Sequence, residues 1–466
     1  MLLSEIFSKL NIDKAYDFEI DNIATNSKLS NNKSLFVAIN GTTINSHDEK
    51  YLMEAYNNGT RAFILEEDVD FLPKNCVSFI VDSSRKTLGL VASRFYDHPS
   101  KKLRIIGVTG TKGKTSVSFI IKELIEKYGH SCGVVGTSGA YYGDKHIDTN
   151  NTTPDPVTLQ SILKDALDSG MEYMVLEVSS QAMKQFRVMG TNFLIAIFTN
   201  ISPDHIGPFE HADFEEYRHW KRNFLRLGKK VIINKDDENA QYMIEGIKKP
   251  VITVGRKDAD FTIADEDEHG FSFFGKRINT NLHGSFNRMN LALSIAALNE
   301  IGFSLDGLIK STDDITIPGR MEVIEYDNRK IIIDYAHNKL SLESILKELN
   351  SWKHNKIKLL IGSVGERTFE RRHEIVEVAN EFVDEIYLTS DNPNHEDPNK
   401  IIYEMAMHSK ITTHKISDRS LAVKNMIENS SDGDILLIAG KGDERYQLIN
   451  GEHVHYSDKE EVLRNI

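Results

Sequence analysis

The segment Gly107-Val-Thr-Gly110-Thr-Lys-Gly113-Lys114-Thr115-Ser116 joins closely spaced glycines to a lysine and two hydroxyls. That is the chemistry of a phosphate cradle. Backbone N–H groups at a turn and helix start can point at phosphate oxygens. Lys114 supplies mobile positive charge to the β and γ phosphates, and Thr115 places a hydroxyl within reach of Mg2+. Val108 stands where the strict GxxxxGK(S/T) pattern has its first glycine, so the loop reads GxxGxxGK(S/T). A chance Gly-rich turn is the alternative. Two further candidates follow apolar runs: Glu177 after Tyr-Met-Val-Leu, and His205 at the end of Asn200-Ile-Ser-Pro-Asp204-His205. A carboxylate and an imidazole at strand ends can complete a Mg2+ shell, although a strand-end Glu or His taken alone is more often a satisfied polar residue. The cradle alone suits a kinase, a motor ATPase, a GTPase or a ligase.

The flanking sequence must position these groups. A buried strand, residues 103–108, leads into the loop, and a helix over about 114–128 leaves it. Apolar runs at 133–136, 173–178, 195–200 and 230–235 alternate with helical stretches, and a helix over 286–302 closes this section. Strand and helix in alternation predict a mainly parallel sheet with right-handed crossovers. Before it, strands are expected at 34–39, 61–66 and 77–82, with a helix over 47–58. After it, strands at 330–337, 357–362, 385–390 and 434–440 predict a second α/β domain. His98-Pro99 and Ile317-Pro318-Gly319 mark the boundaries, because the residue before proline resists helix.

The chain has 466 residues, enough for about three domains. Its 69 acidic against 56 basic residues leave a net charge of −13, a poor match to nucleic acid or an anionic membrane. Two cysteines, Cys76 and Cys132, exclude a disulfide framework and a four-thiolate zinc site, which points to a reducing compartment. The opening MLLSEIFSKL reads as an amphipathic helix, and no apolar run approaches the roughly 20 residues of a membrane span. A cytoplasmic protein is the expectation.

Taken in order, the motifs resemble those of the Mur ligase superfamily, and within it the MurE-type ligases, which add the third amino acid to the peptidoglycan precursor. Thr109 to Thr115 resembles the family's ATP loop, through Gly110, Thr111, Lys112, Gly113, Lys114, Thr115 and Ser116, although Asn often occupies the position of Lys112. Asn151-Thr152-Thr153-Pro154 resembles its muramyl-peptide segment, and Glu177-Val-Ser179-Ser180, with Gln185 and Arg187 beyond, its strand-end motif. Asp204-His205 resembles the second metal motif, and Phe286-Asn287-x-x-Asn290 the adenine-side motif. Gly319-Arg320-Met-Glu and Asp334-Tyr-Ala-His337 resemble the later nucleotide motifs. Ser27, in Asn26-Ser27-Lys28, matches the serine of a DSR-like motif.

The resemblance implies a three-domain α/β architecture. Residues 1–98 would bind UDP-MurNAc, 99–317 would form a central P-loop ATP-binding domain, and 318–466 would form a dinucleotide-binding-like domain that presents the amino acid. It implies that ATP and Mg2+ activate UDP-MurNAc-L-Ala-D-Glu as an acyl phosphate, which an amine then captures. Thr115, Glu177, His205 and Lys221 would hold Mg2+, Lys221 as a carbamate. Lys114 and Arg320 would neutralise phosphate charge, and Asp334 and His337 would position nucleotide. A monomer is the family-based expectation.

In the C-terminal motif Asp391-Asn392-Pro-Asn394-His-Glu-Asp-Pro398, family members that add meso-diaminopimelate usually carry arginine where this chain has Asn394. Diaminopimelate would lose a partner for its second carboxylate there, so L-lysine is expected. L-ornithine is one methylene shorter, a difference of only about 1–3 kcal/mol, and stays open. So do diaminopimelate and a folylpolyglutamate-synthetase-like ligase. By resemblance, Arg372 would hold the α-carboxylate, and Asp391, Asn392, Asn394, Gly440 and Glu444 would line the amino-acid site.

Overall fold

The computed structural model describes residues 1–7, 12–41, 44–149, 151–204, 206–207, 210–267, 269–366 and 369–466. They fall into two compact units, Met1–Asn281 with Ser285–Asp313, and Leu282–Gly284 with Asp314–Ile466.

The first unit opens with one helical turn, α1 (Leu3–Ile6). The longer amphipathic helix expected there runs into residues 8–11, which lie outside the described set. Strands β1 (Asn22–Ala24), β2 (Ser34–Val37), β3 (Ala62–Leu65) and β4 (Val77–Ile80) form a parallel sheet in sequence order. Helix α2 (Glu49–Asn57) crosses from β2 to β3, and α3 (Ser84–Phe95) follows β4. β2 and β3 are buried throughout and read as continuous apolar runs, as strands covered on both faces do. Alternate side chains serve opposite clusters. Leu35, Val37 and Ile64 pack with Leu88, Val91 and Ala92 of α3, and Phe36, Phe63 and Leu65 with Leu52 and Ala55 of α2.

The larger sheet of this unit contains β5 (Arg104–Thr109), β6 (Cys132–Gly136), β7 (Gly139–Tyr142), β8 (Lys145–Ile147), β9 (Tyr173–Glu177), β10 (Phe193–Phe198), β11 (Gly228–Asn234), β12 (Val251–Gly255) and β13 (Phe261–Thr262). Their order is β13-β12-β11-β10-β5-β9-β6-β7-β8, parallel except for the β6-β7-β8 meander. The connecting helices are α4 (Lys114–Lys127), α5 (Pro156–Asp168), α6 (Ser180–Lys184), α7 (Phe214–Leu225) and α8 (Ala240–Ile244). A small antiparallel sheet, β14 (Ala264–Asp267), β15 (Gly270–Phe273) and β16 (Lys276–Asn279), precedes α9 (Ser285–Glu300) and α10 (Leu305–Ile309). The chain leaves β5 for β6 on one side and later crosses to β10 on the other. That reversal is a topological switch point, where an open α/β sheet leaves a crevice beyond its carboxyl strand ends. Gly107 lets α7 press onto β5, since a Cβ there would stand 2.4 Å from the Phe224 ring.

In the second unit β17 (Glu322–Tyr326), β18 (Arg329–Asp334), β19 (Ile357–Ile361), β20 (Glu385–Leu388), β21 (Thr412–Lys415) and β22 (Ile435–Ala439) form a sheet in the order β17-β18-β22-β19-β20-β21. Only β17 runs antiparallel. Helices α11 (Lys339–Ser351), α12 (Phe369–Phe382), α13 (Pro398–Ala406), α14 (Arg419–Glu428) and α15 (Asp458–Asn465) flank it, and β23 (Tyr446–Ile449) pairs with β24 (Glu452–His455). The α/β architecture is the expected one. The strand expected over 330–337 stops at Asp334, because that carboxylate turns back to accept the N–H groups of Met321 and Ala336, each at 2.7 Å. No helix among the described residues is long and apolar enough to cross a membrane.

Candidate active site

Residues 110–113 span the switch point between β5 and α4. Gly110 (φ 155°) and Gly113 (φ 82°) adopt backbone conformations that side-chain-bearing residues rarely take. A Cβ at Gly110 would lie 1.9 Å from Thr199 Oγ1, and one at Gly113 2.7 Å from Asn290 Oδ1. The end of β10 holds the loop. Thr111 N–H donates to the Asn200 carbonyl and Lys112 N–H to Asn200 Oδ1, both at 2.9 Å, while Thr199 Oγ1 donates to the Lys112 carbonyl at 2.6 Å. Thr115 and Ser116 are buried in the first turn of α4. A glycine-lined backbone, held rigid at the N-terminus of a 14-residue helix, fits an oligophosphate. Asn287 and Asn290, buried on α9, are hydrogen-bonded at 3.3 Å, and Asn290 closes on Gly113.

Two ammonium groups meet at this loop. Lys114 Nζ donates to the carbonyls of Gly110 (2.9 Å) and Thr111 (3.1 Å). Lys221, on α7 and only 2% exposed, donates to the same Gly110 oxygen at 2.7 Å. Burial, reinforced by the charge of Lys114 and opposed by Asp204, pushes the Lys221 amine well below the ordinary lysine range. The amine is thereby biased toward its neutral, nucleophilic form. The Tyr217 hydroxyl, one turn away, meets Thr111 Oγ1 at 3.0 Å and ties α7 to the loop.

Glu177 ends β9 opposite Val108 of β5 and is 1% exposed. Its carboxylate accepts the N–H and Oγ1–H of Thr137, both at 3.2 Å. A Cβ at Gly136 would stand 2.0 Å from its Oε1, so β6 needs glycine there. A hydroxyl and a buried carboxylate at this crevice fit Mg2+, which prefers hard oxygen donors. His205 lies outside the described residues. Among those described, no three His, Cys, Asp or Glu side chains stand together as a metal cluster.

Beside Glu177, Thr153 Oγ1 donates to the Glu177 carbonyl (2.8 Å) and accepts Ser179 N–H (3.1 Å). Ser179 caps α6, and Thr152 Oγ1 meets Thr137 Oγ1 at 3.1 Å. Arg187 donates to the Thr153 carbonyl at 2.8 Å and to Gln185 Oε1 through Nε (3.1 Å) and Nη2 (2.8 Å). Thr152, Thr153, Glu177, Ser179, Gln185 and Arg187 therefore form one connected wall. Ser27 lies apart from it, buried in the turn between β1 and β2, where its hydroxyl donates to Glu54 at 2.5 Å.

The second unit gathers the remaining candidates. The Arg320 guanidinium lies 4.3 Å from the Tyr335 ring centroid and 3.5 Å from Asp443. His337 Nδ1 is 2.8 Å from the Tyr335 carbonyl oxygen. The carboxyl ends of β20 and β22 bring Asp391, Asn392, Gly440 and Glu444 together around Lys441, which is fully buried. Lys441 Nζ donates to Asn392 Oδ1 (3.0 Å) and Glu444 (2.8 Å) and stands 3.6 Å from Asp391. Arg372, 2% exposed, has its fork on Glu396 at 3.0 and 2.7 Å and reaches Glu404 at 2.5 Å. Asn394 donates its amide to the Glu366 carboxylate, and Glu366 N–H donates to Glu396 at 2.8 Å.

Sequence reasoning missed Lys441, Glu366, Glu396 and Glu404. The first lies between Gly440 and Glu444, so its type was visible in the sequence, but only the fold turns its ammonium onto acids expected to hold a substrate. The anchoring role of Thr199 and Asn200 was missed as well, since hydroxyl and amide groups after a strand carry no signature.

Residues 108–298 match the Mur ligase middle domain and residues 319–442 the Mur ligase, glutamate ligase domain. The chain is 34% identical over 449 residues to the UDP-N-acetylmuramoyl-L-alanyl-D-glutamate--2,6-diaminopimelate ligase of Geobacillus kaustophilus (strain HTA426), covering 91% of this chain and 90% of that one. This chain belongs to the Mur ligase family. It is an ATP-dependent ligase of peptidoglycan synthesis. A solved UDP-N-acetylmuramoyl-L-alanyl-D-glutamate--2,6-diaminopimelate ligase structure superposes with a TM-score of 0.71 at 30% identity, covering 100% of this Mur ligase and 98% of that chain. Mycobacterium tuberculosis folylpolyglutamate synthase, at 15% identity and a TM-score of 0.62 over 76% of this chain and 92% of its own, shares the fold alone.

Proposed function

We propose that this Mur ligase joins a diamino acid to the D-glutamyl carboxylate of UDP-MurNAc-L-Ala-D-Glu. In this reading residues 1–98 hold the UDP-MurNAc moiety, 99–317 the ATP, and 318–466 the amino acid. The carrying observation is the Gly110–Gly113 cradle with Lys114 and a buried, neutral-leaning Lys221 on one carbonyl. The acceptor carboxylate attacks the γ-phosphorus of ATP, the bond to ADP breaks, and an acyl phosphate forms. The amine then attacks the acyl carbon, and phosphate leaves as the amide closes. Lys114 balances the negative charge, and the charge-balancing role of Arg320 and the nucleotide-orienting roles of Asp334 and His337 are carried over from the family motifs. The Thr152–Arg187 wall seats the muramyl peptide, with Ser27 on the uridine side.

Thr115, Glu177, His205 and Lys221 are the groups that would hold Mg2+, which supplies charge neutralisation to the β and γ phosphates when bound. Lys221 would serve as a carbamate. Its neutral Nζ attacks CO2, a C–N bond forms and one proton leaves to water, which turns a cation into an oxygen donor.

The relatives' names support meso-diaminopimelate as the added amino acid, ahead of the L-lysine expected from Asn394. One local observation favours a diamino acid with a single carboxylate, L-lysine or L-ornithine. Among the described residues, the carboxylates of Asp391, Glu366, Glu396, Glu404 and Glu444 stand with Lys441, Arg372 and the more distant Lys400, the charge of Arg419, itself paired with Asp458, also reaches Asp391, and Asn394 carries no charge. This excess of carboxylates suits a second ammonium better than a second carboxylate. Phosphate release with UDP-MurNAc-L-Ala-D-Glu, Mg-ATP and a panel of L-lysine, L-ornithine and meso-diaminopimelate decides between them. ATP turnover indifferent to both cosubstrates would refute the ligase reading.

A further inference from the structure

Arg187 is aimed by a strained turn. Helix α6 ends at Gln185, and Phe186 follows at φ 56°, left-handed for a residue with a bulky side chain. Phe186 N–H donates to the Met183 carbonyl (3.2 Å) and Arg187 N–H to that of Ala182 (2.8 Å), the paired bonds of a Schellman ending with phenylalanine in glycine's usual place. Such a conformation costs about 1–3 kcal/mol and persists where surrounding structure demands it. Two residues on, Met189 packs against α3, since a Cβ at Gly89 would stand 2.6 Å from Met189 Cβ. Arg85 lies one helical turn before Gly89, on the same face of α3. Its charge reaches Arg187, and burial lowers the proton affinity of both groups.

Both guanidiniums are half-buried, yet their hydrogen bonds run to neutral oxygens. Arg85 donates to the Asn40 carbonyl at 3.1 Å, and Arg187 to the Thr153 carbonyl and Gln185. Among the described residues neither forms an ion pair, in a chain with 69 acidic groups. The acids whose charges reach them have other work. Asp155 caps α5 through the N–H groups of Val157 (3.0 Å) and Thr158 (3.1 Å), and Glu66 accepts Ser84 N–H at 2.8 Å. Two guanidiniums linked through the Gly89–Met189 contact, in partial burial and reached by the charges of Glu66 and Asp155 without an ion pair to either, make a seat for an external anion of two or more charges.

We propose that Arg85 joins Arg187 as the second guanidinium of a seat for the diphosphate of the nucleotide-sugar substrate. The substrate class rests on the reading above, but the anion seat is tested without it. UDP and uridine are titrated calorimetrically into the full-length wild type, Arg85→Gln, Arg85→Lys and Arg187→Gln. Arg85→Gln should weaken UDP about tenfold or more and uridine less than about twofold, with an unchanged melting temperature. Arg85→Lys keeps the charge without the fork and should fall between. In turnover, Arg85→Gln should raise KM for UDP-MurNAc-L-Ala-D-Glu with kcat and the KM for ATP nearly unchanged. UDP affinity unaltered in Arg85→Gln overturns the seat. Equal loss for UDP and uridine also overturns it, because Arg85 would then only brace the Asn40 carbonyl. A wild type that binds UDP through Arg85 but ignores the muramyl dipeptide would sink the functional reading and leave the seat standing.

Discussion

Lys221 and Lys114 donate to one and the same oxygen, the carbonyl of Gly110, at 2.7 and 2.9 Å. Two ammonium groups so close, one of them buried, cannot both hold a proton comfortably. Lys221→Ala should therefore lose activity by about a hundredfold or more, the range of a charge-stabilising group at the reacting centre. Added formate or acetate should restore part of it by replacing the carbamate. Full retained activity in steady-state phosphate release would remove Lys221 from the chemistry.

Glu366 and Asn394 face each other from two left-handed backbone positions, φ 62° and 52°. If this wall selects an ammonium, Asn394→Arg should move the kcat/KM ratio of diaminopimelate to lysine up by about tenfold, because a guanidinium then meets the second carboxylate. Glu366→Gln should raise KM for lysine with little change for ATP. Unchanged ratios in both variants would return the choice of amino acid to other residues.

The pair Arg372–Glu396 makes a pH prediction. Hydrogen bonding to Arg372 holds the Glu396 carboxyl at about 2, against 4.5 for an ordinary glutamate. The unfolded chain thus takes up this proton first. The pair's contribution is complete above 4.5 and is lost as pH falls through about 2. Glu396→Gln should melt below wild type at neutral pH, and the gap should narrow between pH 4.5 and 2. Calorimetric melting of both proteins across that range gives the answer, and a gap independent of pH would contradict it.

Arg419 and Asp458 form a fully buried ion pair at 2.8 Å, and Tyr456 donates to the same carboxylate at 2.7 Å. Arg419 also donates to the Ala439 carbonyl at 2.9 Å, just before Gly440. Asp458→Asn leaves a buried guanidinium short of its counter-charge and should cost about 3–5 kcal/mol. Chemical denaturation measures it; a loss under about 1 kcal/mol would mean water enters the pair.

The phosphate loop was legible from sequence because it depends on local chemistry. Glycines permit the turn at 110–113, Lys114 and Thr115 follow at fixed offsets, and a continuous apolar run announces β5. Strands β9, β10, β18 and β22 announced themselves the same way, since burial on both faces needs unbroken apolar stretches. β14–β16 and the β23–β24 hairpin did not, being short and largely polar.

What only the tertiary structure decided is which charges meet. Nothing in the type of Lys221 says that it is buried against Lys114. Nothing in Arg372 says that Glu396 and Glu404 already occupy it. Nothing in Arg85 says that it shares a face with the turn carrying Arg187. Residue type sets what a group can do, and covalent neighbours set the local turn. Proton affinity, pairing and the choice of an external ion depend on distance and burial, and those arise when segments far apart in the chain pack together.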